Sequence, residues 1–357
     1  MHPRWREVAR RCVQGLGVQP GELIQVYDHA GHERFLREIL LAVEAAGATP
    51  LPRLVPPEYL ARLIAEAPPA YLRAWDQYRA AWMGETARIL LLQSTNLDAS
   101  RLPAEGFRLW QAAEGRLQAI EEGRHTPNLV VAVPTRRRAQ QLGMALRVLE
   151  ECLLPALAAP IDEIQNEISR VQAALQGGQH IVLRTGAQYE LHLEHGDRPW
   201  LADDGFIDDD DRARGAIVSN LPTGSVYSTV VEQSTTGSLA LARANEATDV
   251  VLHFEHGRIT RIEAASGAEE LGRCLDSHTG EPRRISHIGV GLNPYLSQAV
   301  GWTLVDEHVH GMLFLALGEN RYMGGENASS LNMDYSLANA SLLVDGRAIV
   351  VMGKVVV

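Results

Sequence analysis

Glu22-Leu23-Ile24-Gln25-Val26-Tyr27-Asp28, followed closely by Gly31 to Ala46 and a stop at Gly47, is the stretch on which the fold turns. Its first part is a short apolar run of strand length. Its second carries Phe35, Leu36, Ile39, Leu40 and Val43 at helical spacing and ends on a glycine. A strand leading directly into a helix is the opening of a strand–helix–strand unit, the building block of a parallel sheet. Working outward, Ala87 to Gln93 and Asn128 to Val133 read as further buried strands, and Thr135 to Leu153 as a helix started by Pro134-Thr135. Residues 1–178 are therefore expected to form an α/β domain with a mostly parallel sheet.

At the join, Asp28-His29-Ala30-Gly31-His32 lacks both the glycine spacing of a dinucleotide fingerprint and the lysine of a phosphate-binding loop. A nucleotide cofactor is excluded on that ground. His29 and His32 are read as turn and cap residues.

After Gln176-Gly177-Gly178 the pattern changes to short runs with alternating character. These are His180 to Arg184, Tyr189 to Glu194, Val250 to Phe254, Arg258 to Glu263, Trp302 to Val305, Met312 to Leu317 and Ser341 to Val344. Turn signals such as His195-Gly196-Asp197 and Asp345-Gly346 separate them. Residues 179–357 are expected to form a mainly antiparallel, barrel-like β domain. Asp208 to Asp211 lack the glycine and terminal glutamate of a calcium loop and read as a solvated loop.

The chain has 357 residues, 46% of them hydrophobic, enough for two compact domains or one large one. A net charge of −11 argues against nucleic acid as a partner, since phosphate binding needs clustered Lys and Arg. The apolar runs are far shorter than the ~20 residues of a membrane span, and the opening Met1 to Glu7 has no continuous apolar signal core. The three cysteines are too scattered for a metal knuckle and suit a reducing compartment. A cytoplasmic location is expected.

Four stretches carry a resemblance. They are Ser219-Asn220-Leu221-Pro222-Thr223-Gly224-Ser225-Val226, Ile288-Gly289-Val290-Gly291-Leu292-Asn293-Pro294, Val305-Asp306-Glu307 through Gly311 to Leu317-Gly318-Glu319-Asn320, and Ser329-Ser330-Leu331-Asn332-Met333-Asp334. In order and spacing they resemble the C-terminal domain of the aminopeptidase T metallopeptidases, and Leu343 to Arg347 resembles that family's closing hairpin. The similarity implies an aminopeptidase T-type fold, two divalent metals in the peptidases, and a homodimer. A ring-cleaving branch, the dihydroxypyridine dioxygenases, is similar in fold and is implied to use one ferrous ion.

Carried over position by position, the resemblance implies a thinned ligand set. The family's first glutamate falls on Ser225, a poor ligand for a dication, and its histidine on Phe314, which cannot ligate at all. The second glutamate falls on His287, the residue type that the ring-cleaving branch resembles there. The His-x-Asp pair falls on Asn332 and Asp334. His287 and Asp334 are thus the metal candidates. His308 and His310, two apart on an expected strand, are weaker candidates for a relocated site, because Phe314 lies ~13 Å beyond His310 along an extended chain. His192 and His195, three apart, would face opposite sides of a strand. Glu232 is chemically able to act as a base but reads as solvated.

The leading expectation from these losses is a metal-free peptide-binding or substrate-presenting scaffold. In that reading Ser225 and Asn332 hydrogen-bond a ligand, Phe314 forms an apolar wall, and Arg321 and Tyr322 contact the ligand beside the Gly324-Gly325 turn. No cofactor is expected there. The alternative is a single-metal enzyme, a ring-cleaving oxygenase or hydrolase, using His287 and Asp334 with one Fe, Mn or Zn ion. A third reading is an interaction subunit with no small ligand.

Overall fold

The computed structural model describes residues 4–357, so Met1 to Pro3 lie outside the described residues. Strands in chain order are β1 (Leu23–Asp28), β2 (Thr49–Leu54), β3 (Arg88–Gln93), β4 (Asn128–Ala132), β5 (His180–Thr185), β6 (Tyr189–Glu194), β7 (Leu201–Asp203), β8 (Val218–Leu221) and β9 (Ser225–Ser228). They continue with β10 (Thr236–Ala244), β11 (Ala247–Glu255), β12 (Arg258–Glu263), β13 (Ile285–Gly291), β14 (Leu313–Gly318), β15 (Asn332–Leu337), β16 (Ser341–Val344), β17 (Arg347–Val351) and β18 (Lys354–Val355). The chain divides into two compact units, one running to Ala158 and including Gly205–Pro222, the other comprising Ala159–Asp204 and Thr223–Val357. The change of pattern at residue 178 therefore sits inside the second unit. Helix Ile161–Leu175 supplies core residues there, Ile164, Ile168, Val171 and Leu175.

The first unit holds the parallel sheet, in the order β2-β1-β3-β4-β8. Ile24 and Val26 of β1 are fully buried, and helix Glu33–Ala45 turns Phe35, Ile39 and Val43 inward. His32 caps that helix, its Nδ1 accepting from the Phe35 amide at 3.1 Å, and Gly47 leaves it at φ 81°. The expected long helix after Thr135 is two, Arg136–Gln141 and Leu146–Leu157, because Gly143 at φ 67° interrupts the ladder between them. Asp208 to Asp211 do not form an irregular loop. Asp208 and Asp211 make a capping box that starts helix Asp209–Arg214.

The second unit has an eight-stranded sheet, β12-β11-β10-β6-β5-β16-β17-β18, and a five-stranded sheet, β15-β14-β13-β9-β7, with antiparallel pairing throughout. Both are open sheets, so the barrel-like expectation is corrected. Alternate residues explain the arrangement: Leu183, Leu191, Leu239 and Leu252 of one sheet share a core with Val226, Ile288, Leu315 and Leu337 of the other. Each such side chain contributes about 1.5–3 kcal/mol by leaving water. Trp302 to Val305 is not a strand. Helix Thr303–Asp306 occupies it, and the chain then turns through His308 and His310, so the shared strand face expected for those histidines does not exist.

Candidate metal centre

Period-two alternation places the site. With Ile288 and Val290 of β13 committed to the core, His287, Gly289 and Gly291 must face the opposite side of the five-stranded sheet. Strand register then aligns the neighbours in rows. His287 pairs with Ala316, which pairs with Asp334. In the next row stand Tyr227, Gly289, Phe314 and Ser336, and in the one after it Asp203, Ser225 and Gly291. Residues scattered over more than a hundred positions of sequence thus share one face.

At the centre, His287 Nε2 lies 3.1 Å from Asp334 Oδ1, with His287 largely buried. The other ring nitrogen, Nδ1, lies 3.1 Å from the Ser286 hydroxyl, which donates its own hydrogen to the Glu319 carbonyl at 2.5 Å. A hydroxyl has one hydrogen to give. Ser286 must therefore accept from His287 Nδ1–H, which leaves the Nε2 lone pair of the neutral imidazole facing a carboxylate oxygen. Two electron pairs at that distance call for a cation or a proton between them. A histidine whose outer nitrogen is fixed by a hydrogen bond is the usual arrangement of a metal ligand.

Asn332 stands two along β15 from Asp334 and on the same face. Its Nδ2 donates to the Tyr322 hydroxyl at 3.4 Å, which leaves its carbonyl oxygen as the remaining donor atom. Tyr322 also bonds to Ser286, and burial together with the nearby Asp334 pushes its phenol up to about 12, so it stays a hydrogen-bond donor. Among the described residues no three His, Cys, Asp or Glu side chains form a group that could hold a metal ion. The residues fit one divalent ion held by an imidazole, a carboxylate and an amide oxygen, and do not fit the two-metal set implied for the peptidases.

The Phe314 ring lies across Gly289, where any Cβ would collide with it. It meets His287 edge-on at 5.9 Å between centroids, and Tyr227 packs on the other side at 5.8 Å. Ser225 is buried one row further on. Arg321 is held by Glu319 at 2.7 Å, and His310 by Glu167 at 3.2 Å. Neither ion pair includes His287 or Asp334.

The sequence reading gave no role to Gly291, Glu307 or Asp203. Gly291 lies beneath the Glu307–Val309 backbone, and a side chain there would strike the carbonyls of Glu307 and Val309. Burial, then the charges of Asp334, Asp203 and Asp306, raises the Glu307 carboxyl well above its usual range. His308 is fully buried beside it, 3.5 Å from Glu307 Oε1 and 3.7 Å from Asp203 Oδ2, and burial lowers its pKa. Glu307 was quoted within a motif, but Asp203 carries no local signal. Glu232 is not solvated. Burial alone would raise its pKa, but the Glu326 amide, Asn320 and Arg198 lower it, and Asn320 fills the space above Gly325.

The α/β unit and the paired antiparallel sheets define an aminopeptidase T-type fold. The structure of wild-type AmpT from Thermus thermophilus superposes with a TM-score of 0.75 at 20% identity, covering 99% of each chain. A 2,5-dihydroxypyridine dioxygenase structure from Pseudomonas putida KT2440 superposes at 0.64 and 18% identity, covering 99% of this chain and 96% of that one. Residues 133–357 match the NicX family, 2,5-dihydroxypyridine 5,6-dioxygenase, and the chain belongs to that family. The curated 2,5-dihydroxypyridine 5,6-dioxygenase of Pseudomonas putida KT2440 is 25% identical over 268 residues, 67% of this chain and 73% of that protein.

Proposed function

We propose that the chain is a single-metal enzyme of the ring-cleaving oxygenase type, acting on a hydroxylated aromatic or heteroaromatic ring. The observation that carries this reading is the facing pair His287 Nε2 and Asp334 Oδ1, with the imidazole oriented from behind by Ser286. Family membership supports it. The peptide-binding scaffold expected from the lost ligands has no such support, because the relatives named for an activity are dioxygenases.

When bound, the metal would supply Lewis-acid and one-electron chemistry toward a ring hydroxyl and dioxygen. The protein's own part is positioning. Ser286 holds His287 in the tautomer that presents Nε2, and Asp334 supplies the negative charge. Tyr322 stays protonated and can donate to an oxygen of the substrate beside Asn332. Glu307, whose carboxyl burial raises well above its usual range, can give or take a proton, and Phe314 and Tyr227 flank the imidazole with surfaces suited to a planar ring.

Protein stripped of metal and reloaded with ferrous iron, manganese or zinc tests this, with 2,5-dihydroxypyridine as the first probe and loss of ring absorbance under oxygen as the readout. Turnover is expected with one metal, and His287→Ala and Asp334→Ala should each abolish turnover and remove one equivalent of bound metal. Metal binding that neither substitution affects, or no turnover of any hydroxylated ring with any of the three ions, would sink the reading.

A further inference from the structure

A second cluster lies on the outer face of the eight-stranded sheet. β5 and β6 pair with His180 opposite Glu194, Val182 opposite His192 and Arg184 opposite Glu190. Ile181, Leu183, Leu191 and Leu193 point into the core, so His180, His192, Glu190 and Glu194 all stand on the solvent side. The two imidazoles are diagonal neighbours, stacked with centroids 5.6 Å apart, and are about half exposed.

Each ring has a glutamate behind it. His180 Nδ1 lies 3.0 Å from Glu194 Oε1, and His192 Nε2 lies 3.5 Å from Glu190 Oε2, a carboxylate that also pairs with Arg184 at 2.7 Å. Carboxylates only accept, so each favours the tautomer with the hydrogen on its own side. His180 Nε2 and His192 Nδ1 then face each other 3.5 Å apart, sharing one hydrogen that a bound cation would displace. Tetrahedral zinc with Zn–N distances of ~2.0–2.1 Å separates two imidazole nitrogens by about 3.4 Å. The facing nitrogens already stand at that spacing, and a carboxylate behind each histidine is the support that metal-bound imidazoles use.

We propose that His180 and His192 form a surface site for a zinc-class divalent cation, completed by water and distinct from the His287–Asp334 centre. It holds whether or not the ring-cleaving reading does. The two ligands belong to adjacent strands, so the ion cross-links β5 to β6.

Zinc titration of tag-free, metal-stripped protein carrying Asp334→Ala isolates this site, with magnesium as the control that does not bind. One equivalent of zinc is expected, lost on adding either His180→Ala or His192→Ala and weakened roughly 10-fold by Glu194→Gln. The same titration followed through the imidazole resonances should shift those of His180 and His192. Zinc stoichiometry unchanged by both histidine substitutions, or no zinc bound while the fold is intact, overturns the proposal.

Discussion

Gly289→Ala is expected to destabilise the second unit by about 1–3 kcal/mol, the usual cost of overpacking a filled site. The new Cβ would collide with the Cζ, Cε1 and Cε2 atoms of Phe314, whose side chain is only 3% exposed. The sheet holds both backbones in register, so relief must come from the phenyl ring. Swinging it out forfeits up to about 1.5–3 kcal/mol of burial and breaks the edge contact with His287. Leucine lacks the colliding ring atoms, so Phe314→Leu should rescue Gly289→Ala, and the pair should be non-additive by at least ~1 kcal/mol. Urea denaturation of the two single variants and the double variant measures this coupling. Additivity within about 0.5 kcal/mol would show that Phe314 does not rest on Gly289 and would remove the aromatic wall from the site.

Ser286→Ala should leave the fold intact but lower affinity for the metal about 10–100-fold, since His287 loses the partner that fixes its tautomer; equal affinity in a metal titration would refute that role. Glu307→Gln should change how stability depends on pH. Because the folded pKa of Glu307 is raised, the native state holds a proton that the unfolded chain releases above its ordinary range near 4.5. That contribution is present below the unfolded pKa and is lost as pH rises through the folded one. The variant should therefore gain on the wild type as pH rises, and parallel stability curves would count against a buried neutral carboxyl.

Strands β1, β3 and β4 and helix Glu33–Ala45 of the first unit were legible because their signals are local: the apolar run at Leu23 to Asp28, the helical stripe from Phe35 to Val43, and the cap at His32. Gly143 is a local signal too, but it is embedded in a longer helical pattern that masks it. Two of the metal candidates, His287 and Asp334, were found through motif resemblance, and the tertiary structure puts them in contact. The cross-strand pair His180 and His192 could not be seen by comparing histidines near in sequence, since register alone brings them together.

By itself, then, the sequence determined the division into a parallel α/β part and an antiparallel part, because hydrophobic periodicity and turn chemistry act over a few residues. It also showed that Phe314 and Ser225 are chemically unsuited to a dication wherever they lie. Only the tertiary structure decided which groups meet. Ser286 behind His287, Phe314 over Gly289, and Glu307 with His308 beside Asp203 are products of strand register and of loop return across a sheet face. Those contacts depend on packing between segments far apart in the chain, and local pattern carries no information about it.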